Sequence, residues 1–272
     1  MFNGLNNLKE LFLNSNPLKN LRCDSFSRLV QLKSLSVKNC SITRKSNAPL
    51  LTGLENLESL SLSSNGLTHL YTSTFSKLKG LRFLYIKNNS IKGIARAAFA
   101  LLSNLTTLDL GSNEITDLHP GDFVGLKSLA KLTLLDNFLH SIEDFAFEGL
   151  SKLKLLYLNM NNLTVINRQM FTGLQQLRYL NLDNNPLTSI DDQSFSRLSK
   201  LTRLKIKKSK RSLKYFLMKM FKLMLNLKIF LNQNMIMRWM ISTCLSLNLN
   251  TYWLVLGIFP MLRLNVERNS DK

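Results

Sequence analysis

The sequence predicts an α/β solenoid that curves into a horseshoe, with a parallel sheet on its concave face and irregular or short-helical returns on its convex face. Three observations lead to this prediction. A unit of 24 residues repeats along the chain, each unit opens on alternating leucines, and each carries an asparagine and a phenylalanine at fixed places. Periods of this length are typical of proteins whose units stack one on another and share a continuous core.

Eight full copies of the unit follow one another in register, and a ninth begins at Leu201 and then loses the pattern. The clearest copy runs from Leu105 to Ser128, with the spacing L-x-x-L-x-L-x-x-N-x-L. The second copy alone has 25 residues instead of 24. The full copies begin at Leu8, Leu32, Leu57, Leu81, Leu105, Leu129, Leu153 and Leu177.

The L-x-L segment of each copy predicts a short strand, because alternate residues of a strand point to opposite faces. The leucines then face the core, and the residues between them face the concave side. Successive strands should lie about 4.8 Å apart in one parallel sheet. We expect strands near residues 10–13, 34–37, 59–62, 83–86, 107–110, 131–134, 155–158, 179–182 and 203–206.

The asparagine and the phenylalanine predict two further rows inside the stack. A buried asparagine amide can bond backbone groups of adjacent turns that would otherwise lack partners. Cys40 replaces it in the second copy, where we expect a buried structural thiol. The phenylalanine recurs late in each copy, which predicts an aromatic spine on the convex side of the core. Its members are Phe26, Phe75, Phe99, Phe123, Phe147, Phe171 and Phe195.

On this spacing, and on the late phenylalanine in FVGLKSL and FTGLQQL, residues 2–206 resemble the typical leucine-rich repeats of animal extracellular proteins. The pattern looks closest to Toll-like receptor ectodomains and related cell-surface or matrix proteins. The resemblance implies a non-enzymatic, glycosylated receptor ectodomain that recognises a ligand for signal transduction in innate immunity. The alternative is a secreted matrix or adhesion protein of the same fold. Because the chain begins inside a repeat with no secretory signal, we expect a fragment of an extracellular or cell-surface protein.

Motifs for catalysis, metal binding and cofactor binding are missing from the sequence. His69, His119 and His140 fall in three different copies, and none has the spacing to a cysteine or carboxylate that a metal or a nucleophile needs. The three cysteines are too widely spaced for a disulfide framework, and there is no glycine-rich phosphate loop. We therefore expect no catalytic residue, no metal and no cofactor.

Apolar and aromatic residues interrupt the otherwise polar concave positions in two groups. Exposed apolar clusters of this kind often mark partner sites. The sequence predicts that they bind a protein ligand or receptor partner, and contact with a second copy in a homodimer remains open. The first group is Phe83 and Tyr85; the second is Leu155, Tyr157 and Tyr179, with Leu135 and Phe138 beside it.

Four N-x-S/T triplets fit an extracellular setting, because this triplet is the acceptor for N-glycosylation. Asn104 precedes a predicted strand on the outer edge and is the foremost candidate. The other three lie nearer the concave rim. They are Asn88, Asn162 and Asn39.

The net charge of +19 is unevenly distributed along the chain. Residues 1–206 hold 24 Lys and Arg against 15 Asp and Glu, whereas residues 207–272 hold 12 against 2. Carboxylates such as Asp109 and Asp183 interrupt the positive charges of the concave face, so nucleic acid is an unlikely partner.

The change of composition divides the chain into a repeat solenoid, residues 1–206, and a basic Met- and Leu-rich tail, residues 207–272. An amphipathic pattern in the tail fits either a helix that caps the solenoid or one that lies on a membrane. The uncharged stretch from Trp239 to Leu262 is long enough to span a bilayer. A non-native extension, as from a shifted reading frame, is the third possibility.

Overall fold

The computed structural model describes residues 4–18, 21–44 and 48–207, together with Phe2. Within them the chain forms a solenoid of stacked coils, and each coil contributes one strand to a nine-stranded parallel sheet. The strands neighbour one another in the order of the sequence, and we number the coils 1 to 9 by them. The strands are Glu10–Phe12, Ser34–Ser36, Ser59–Ser61, Phe83–Tyr85, Thr107–Asp109, Lys131–Thr133, Leu155–Tyr157, Tyr179–Asn181 and Arg203–Lys205.

The prediction of nine in-register strands is confirmed, with each strand ending one residue earlier than expected. The middle residue of every strand is a leucine, and each pairs with the equivalent leucine of the next coil, as Leu84 does with Leu108 and Leu108 with Leu132. These three side chains are fully buried. Burying one leucine side chain stabilises a fold by about 1.5–3 kcal/mol. The buried leucine row under the sheet is therefore the main source of its stability.

The returns on the other side contain turns and short strands, and the described residues include no helix. The irregular form of the predicted returns is therefore the one found. Two-residue strands link the returns of neighbouring coils in four places. The pairs are Thr43–Arg44 with Gly66–Leu67, His69–Leu70 with Gly93–Ile94, Asp117–Leu118 with Ser141–Ile142, and Val165–Ile166 with Ser189–Ile190.

The aromatic spine is confirmed, because all seven phenylalanines are buried. From Phe75 to Phe195 each ring stacks on the next, with centroids 5.7–6.5 Å apart and interplanar angles of 4–18°. Leu51 takes the place of the phenylalanine in coil 2 and is equally buried. The spine therefore runs through coils 3 to 8 as one stack, with the Phe26 ring of coil 1 beyond the leucine.

The asparagine row is also confirmed. The Asn113 amide donates to the Leu110 carbonyl of its own coil at 2.9 Å and to the Ile86 carbonyl of the preceding coil at 3.1 Å. Its side-chain oxygen accepts the Ile91 N–H at 3.2 Å, which ties the two coils together a second time. Cys40 is buried in the same place and donates its thiol to the Leu13 carbonyl at 3.1 Å.

The predicted tail lies outside the described residues, apart from Lys207, and so do its three readings as a cap, a membrane segment or a non-native extension. Within the described ranges, no helix is long and apolar enough to cross a membrane.

Candidate partner-binding surface

The candidate site is the solvent-facing side of the parallel sheet, which we call the sheet face. The first and third residues of each strand point to it, because the middle leucine points to the core. Since the strands are in register, these residues form two columns that run across the coils. The chain enters each strand along one border of this face, the entry rim, and leaves along the other, the exit rim.

The strongest feature of the sheet face is a pair of tyrosines on coils 7 and 8. The Tyr157 and Tyr179 rings are half-buried, with centroids 5.1 Å apart and planes inclined by 47°. Leu155 is half-buried on the same strand as Tyr157 and is paired with Tyr179 in the sheet register. The structure thus brings together the three sheet residues of the second predicted group.

A cation lies over each ring of the tyrosine pair. The Lys131 Nζ lies 5.5 Å from the centroid of Tyr157, and the Arg203 Cζ lies 5.8 Å from that of Tyr179. A cation within about 6 Å of an aromatic centroid is attracted to the electron-rich ring face, and the attraction is worth about 0.5–1 kcal/mol at an exposed site. The result is a row of cation, ring, ring and cation that crosses coils 6 to 9 and holds the tyrosines in place.

Sequence reasoning missed the two cations of this row. They occupy first positions of strands next to the tyrosines, which are charged positions that the repeat pattern alone does not distinguish. The missed signal is a basic residue one coil away from an aromatic face residue, as Lys131 is from Tyr157 and Arg203 is from Tyr179.

The first predicted group, Phe83 and Tyr85, lies apart from the tyrosine pair. Both residues are half-buried on the strand of coil 4, and the Arg82 Cζ is 5.6 Å from the centroid of Phe83. Coils 5 and 6 separate this strand from that of Leu155. Three steps of about 4.8 Å place the two groups about 14 Å apart, so they form two patches and not one continuous cluster.

Leu135 and Phe138 follow the strand of coil 6, at the exit rim of the sheet face. Leu135 is half-buried, and its carbonyl accepts the Ser112 N–H of the preceding coil at 2.9 Å. Phe138 follows the buried Asn137 and is 53% exposed. The bonds between coils continue past Thr133, since the Leu134 N–H donates to the Tyr157 carbonyl at 2.9 Å and the Asp136 N–H to the Asn159 carbonyl at 3.0 Å. A role of Leu135 and Phe138 in the partner site stays a prediction.

All four predicted glycosylation asparagines are exposed, but their surroundings differ. The Asn39 and Asn88 amides donate to serine hydroxyls of the preceding coil, at 3.4 and 3.0 Å. The Asn104 amide donates to the Lys79 carbonyl at 3.3 Å on the entry rim. The Asn162 N–H donates at 2.9 Å to the Leu139 carbonyl, directly after Phe138.

Histidines and carboxylates meet in the returns of coils 5 and 6 and not on the sheet face. His119 lies 3.6 Å from Glu143, and His140 lies 3.3 Å from Asp117. Burial raises the pKa of the Asp122 carboxyl, which accepts the His119 backbone N–H at 2.8 Å. Across the described part of the chain, no group of three or more His, Cys, Asp or Glu is arranged to hold a metal ion.

Comparison with known proteins decides the family. The model of the leucine-rich-repeat family matches residues 49–91, 84–139 and 127–187, which together cover half of the chain. The chain belongs to the leucine-rich-repeat family. This leucine-rich-repeat chain has no match among curated proteins.

Among solved structures, this leucine-rich-repeat chain is similar to one titled "Crystal structure of TLR13-ssRNA13 complex". The two share 30% sequence identity with a TM-score of 0.58. The match covers 73% of this chain and 32% of the TLR13 chain, so it spans about a third of that receptor chain. The repeats are therefore similar to those of a Toll-like receptor ectodomain, as the sequence predicted.

Proposed function

We propose that this chain is part of a non-enzymatic, extracellular Toll-like receptor ectodomain, and that it binds a protein ligand or receptor partner through the sheet face of coils 7 and 8. The observation that carries the proposal is the tyrosine pair, Tyr157 and Tyr179. The two rings are half-buried, in contact and held by flanking cations, although they take no part in the buried core.

Such a pair suits a protein interface for a physical reason. Tyrosine offers a large contact area with few rotatable bonds, so little conformational entropy is lost when a partner covers it. The neighbouring cations reduce this loss further, because they already restrict the rings. Leu155 adds apolar area at the centre, and the exposed neighbours Lys131 and Arg203 supply a charged rim like that of tight interfaces.

The proposal is tested with a panel of purified secreted proteins and cell-surface ectodomains, the chain itself included as a possible homodimer partner. Binding is measured by surface plasmon resonance. We expect Tyr157→Ala or Tyr179→Ala to weaken the partner by about 2 kcal/mol or more, which is about 30-fold in Kd.

The matched control is Ser59→Ala, at the position in coil 3 that Tyr179 occupies in coil 8. It should leave Kd unchanged, and all three variants should unfold at the wild-type urea concentration. A partner that ignores both tyrosines but responds to changes on the rims or the returns would contradict the sheet-face assignment.

Single-stranded RNA is the second candidate ligand for the same surface. Two observations favour it: TLR13 was solved in complex with single-stranded RNA, and here Lys131 and Arg203 lie beside two half-buried aromatic rings. Bases can stack on aromatic rings while lysine and arginine contact phosphates. Against it, Asp109 interrupts the cations of the face, its carboxylate accepting the Gly111 N–H at 3.0 Å.

The dependence of binding affinity on salt concentration distinguishes the two candidate ligands. Binding of an RNA oligonucleotide should weaken steeply as salt rises, and losing the Lys131 contact should lower the logarithmic slope by about 0.7. A protein partner held by Tyr157 and Leu155 should show a much weaker dependence. A secreted matrix or adhesion protein of the same fold is the alternative biological setting, and the tyrosine test applies to it unchanged.

Glycosylation at Asn104 and, secondarily, at Asn88, Asn162 and Asn39 belongs to the same proposal. Secretion of the chain from animal cells, followed by enzymatic removal of N-glycans, should lower its mass, and Asn104→Gln should remove one glycan. A glycan on Asn162 would stand beside Phe138, so occupancy there would exclude Phe138 from the partner site. Secreted chain with no mass change would contradict glycosylation altogether.

A further inference from the structure

A second surface, distinct from the tyrosine pair, stands out by its charge. Four exposed cations lie on the entry rim of coils 7 to 9 or directly beside it: Lys152, Lys154, Arg178 and Lys200. Backbone bonds place Lys154 and Arg178 on adjacent coils, since the Arg178 N–H donates to the Lys154 carbonyl at 2.9 Å. We call these four residues the basic rim.

The basic rim has no carboxylate partner among the described residues. The Lys200 Nζ donates to the Gln176 side-chain oxygen at 2.8 Å, a neutral acceptor that leaves its charge uncompensated. The carboxylates of the same coils lie elsewhere: Asp183 follows its strand on the exit rim, and Asp191 and Asp192 follow the short strand Ser189–Ile190 in the returns. Four positive charges therefore share one border of the solenoid.

The equivalent rim of coils 2 to 4 shows the opposite arrangement. Glu58 lies between two cations there, 2.8 Å from the Lys33 Nζ and 3.6 Å from Arg82. The hydrogen bond and the charge of Lys33 lower the pKa of the Glu58 carboxyl, with a smaller contribution from Arg82. The same repeat positions are thus compensated in one part of the sheet border and left uncompensated in another, which points to a ligand in the second part.

We propose that the basic rim binds a sulfated glycosaminoglycan. Lys154 and Arg178 occupy one repeat position in adjacent coils, so their backbones are about 4.8 Å apart and their long side chains can follow closely spaced sulfate groups. None of the four residues lies over an aromatic ring, so the rim lacks the stacking platform that a single-stranded nucleic acid uses. The ligand that fits is a flexible polyanion recognised by charge alone.

This surface does not depend on the tyrosine pair or on the protein partner proposed above. A partner seated on Tyr157 and Tyr179 leaves the basic rim beside it, where a glycosaminoglycan would raise the local concentration of the receptor or matrix protein. Failure of the tyrosine test would leave the basic rim untouched, and the reverse is also true.

The test uses the full chain on immobilised heparin, with binding measured as a function of NaCl. The variant is Lys154→Ser with Arg178→Ser, and the control is Lys33→Ser with Arg82→Ser, which removes the same charge from the same repeat positions of coils 2 and 4. If counterion release acts as it does for nucleic acids, the variant should lower the logarithmic salt slope by about 1.5. The control should lower it far less. The Lys and Arg residues of 208–272 are the same in the wild-type, variant and control chains, so they do not contribute to the difference between the salt slopes.

A second measurement covers the case of a variant that does not fold. Acetylation of lysines in the wild-type chain, followed by mass spectrometry, should show Lys152, Lys154 and Lys200 protected by heparin and Lys33 reactive. Equal effects of the two double variants, or equal protection of Lys33, would overturn the proposal. So would a single-stranded oligonucleotide of equal charge that binds more tightly than heparin and loses more affinity in the basic-rim variant.

Discussion

Some side chains of this molecule are buried and hold the coils together, whereas others lie on the surface and contribute little to stability. Phe145 and Phe147 illustrate the division two residues apart: Phe147 stacks between Phe123 and Phe171, whereas Phe145 is 40% exposed. The same residue type thus contributes to stability at one position and not at the other, and the repeat spacing determines which.

We expect Phe147→Ala to lower the free energy of unfolding by about 3–5 kcal/mol, because it leaves a cavity between two stacked rings. Urea unfolding followed by circular dichroism measures the change. The control, Phe145→Ala, should cost well under half as much. A loss of under about 1 kcal/mol for Phe147→Ala would show that the rings do not act as an internal spine.

At the scale of one coil, the returns impose a limit that the sheet does not. Gly125 has a φ of +94°, and a Cβ added there would lie 2.4 Å from the Ala100 carbonyl oxygen and 2.5 Å from the Ala100 Cα in the preceding coil. The backbone of coil 5 can approach that of coil 4 this closely only because glycine has no side chain. Gly93, in the return of coil 4, has no atom within 4 Å of such a Cβ.

Gly125→Ala should therefore lower the free energy of unfolding by about 3 kcal/mol or more, through strain at positive φ together with the backbone clash. Gly93→Ala should be neutral or slightly stabilising. Thermal unfolding of the two variants compares them directly. Similar melting temperatures of the two variants would mean that the returns of neighbouring coils can move apart enough to admit a methyl group while the coils stay stacked.

The sequence predicted the coils themselves because their determinants are periodic. Leu108, Asn113 and Phe123 recur at nearly constant spacing, and each performs the same task in the copies that carry it, so the pattern specifies the structure. The exposure of Phe138 was not predictable in this way, because it depends on how the chain turns after the buried Asn137. The ring–cation contacts of Lys131 and Arg203 depend on side-chain directions across two coils, which no single repeat encodes.

At the scale of the whole molecule, the solenoid is a stack of nearly interchangeable coils. Each coil contacts only its neighbours, so stability is approximately the sum of contributions from coils and from the interfaces between them. The strand, the asparagine and the phenylalanine of coil 4 could therefore pair with those of coil 6 as well as with those of coil 5.

Deletion of the whole of coil 5, residues 105–128, should yield a folded chain with a single cooperative unfolding transition and a proportionally smaller dependence on urea. It should also bring Phe83 and Tyr85 one step of about 4.8 Å closer to the tyrosine pair. Deletion of residues 105–116 removes half a coil and should abolish folding. If the full-coil deletion failed as badly as the half-coil deletion, the coils would not be interchangeable.

The separation of buried and sheet-face positions within each three-residue strand has a consequence for engineering and for evolution. The residues on either side of Leu84 or Leu156 are half-buried and can vary while the leucine stays fixed, so recognition can change with little effect on folding. A combinatorial library that randomises the first and third strand residues of coils 4 to 8, with the buried Thr133 and Asn181 kept, would sample eight positions on one rigid support. Most of its members should fold, which would make the chain a scaffold from which new binding specificities can be selected.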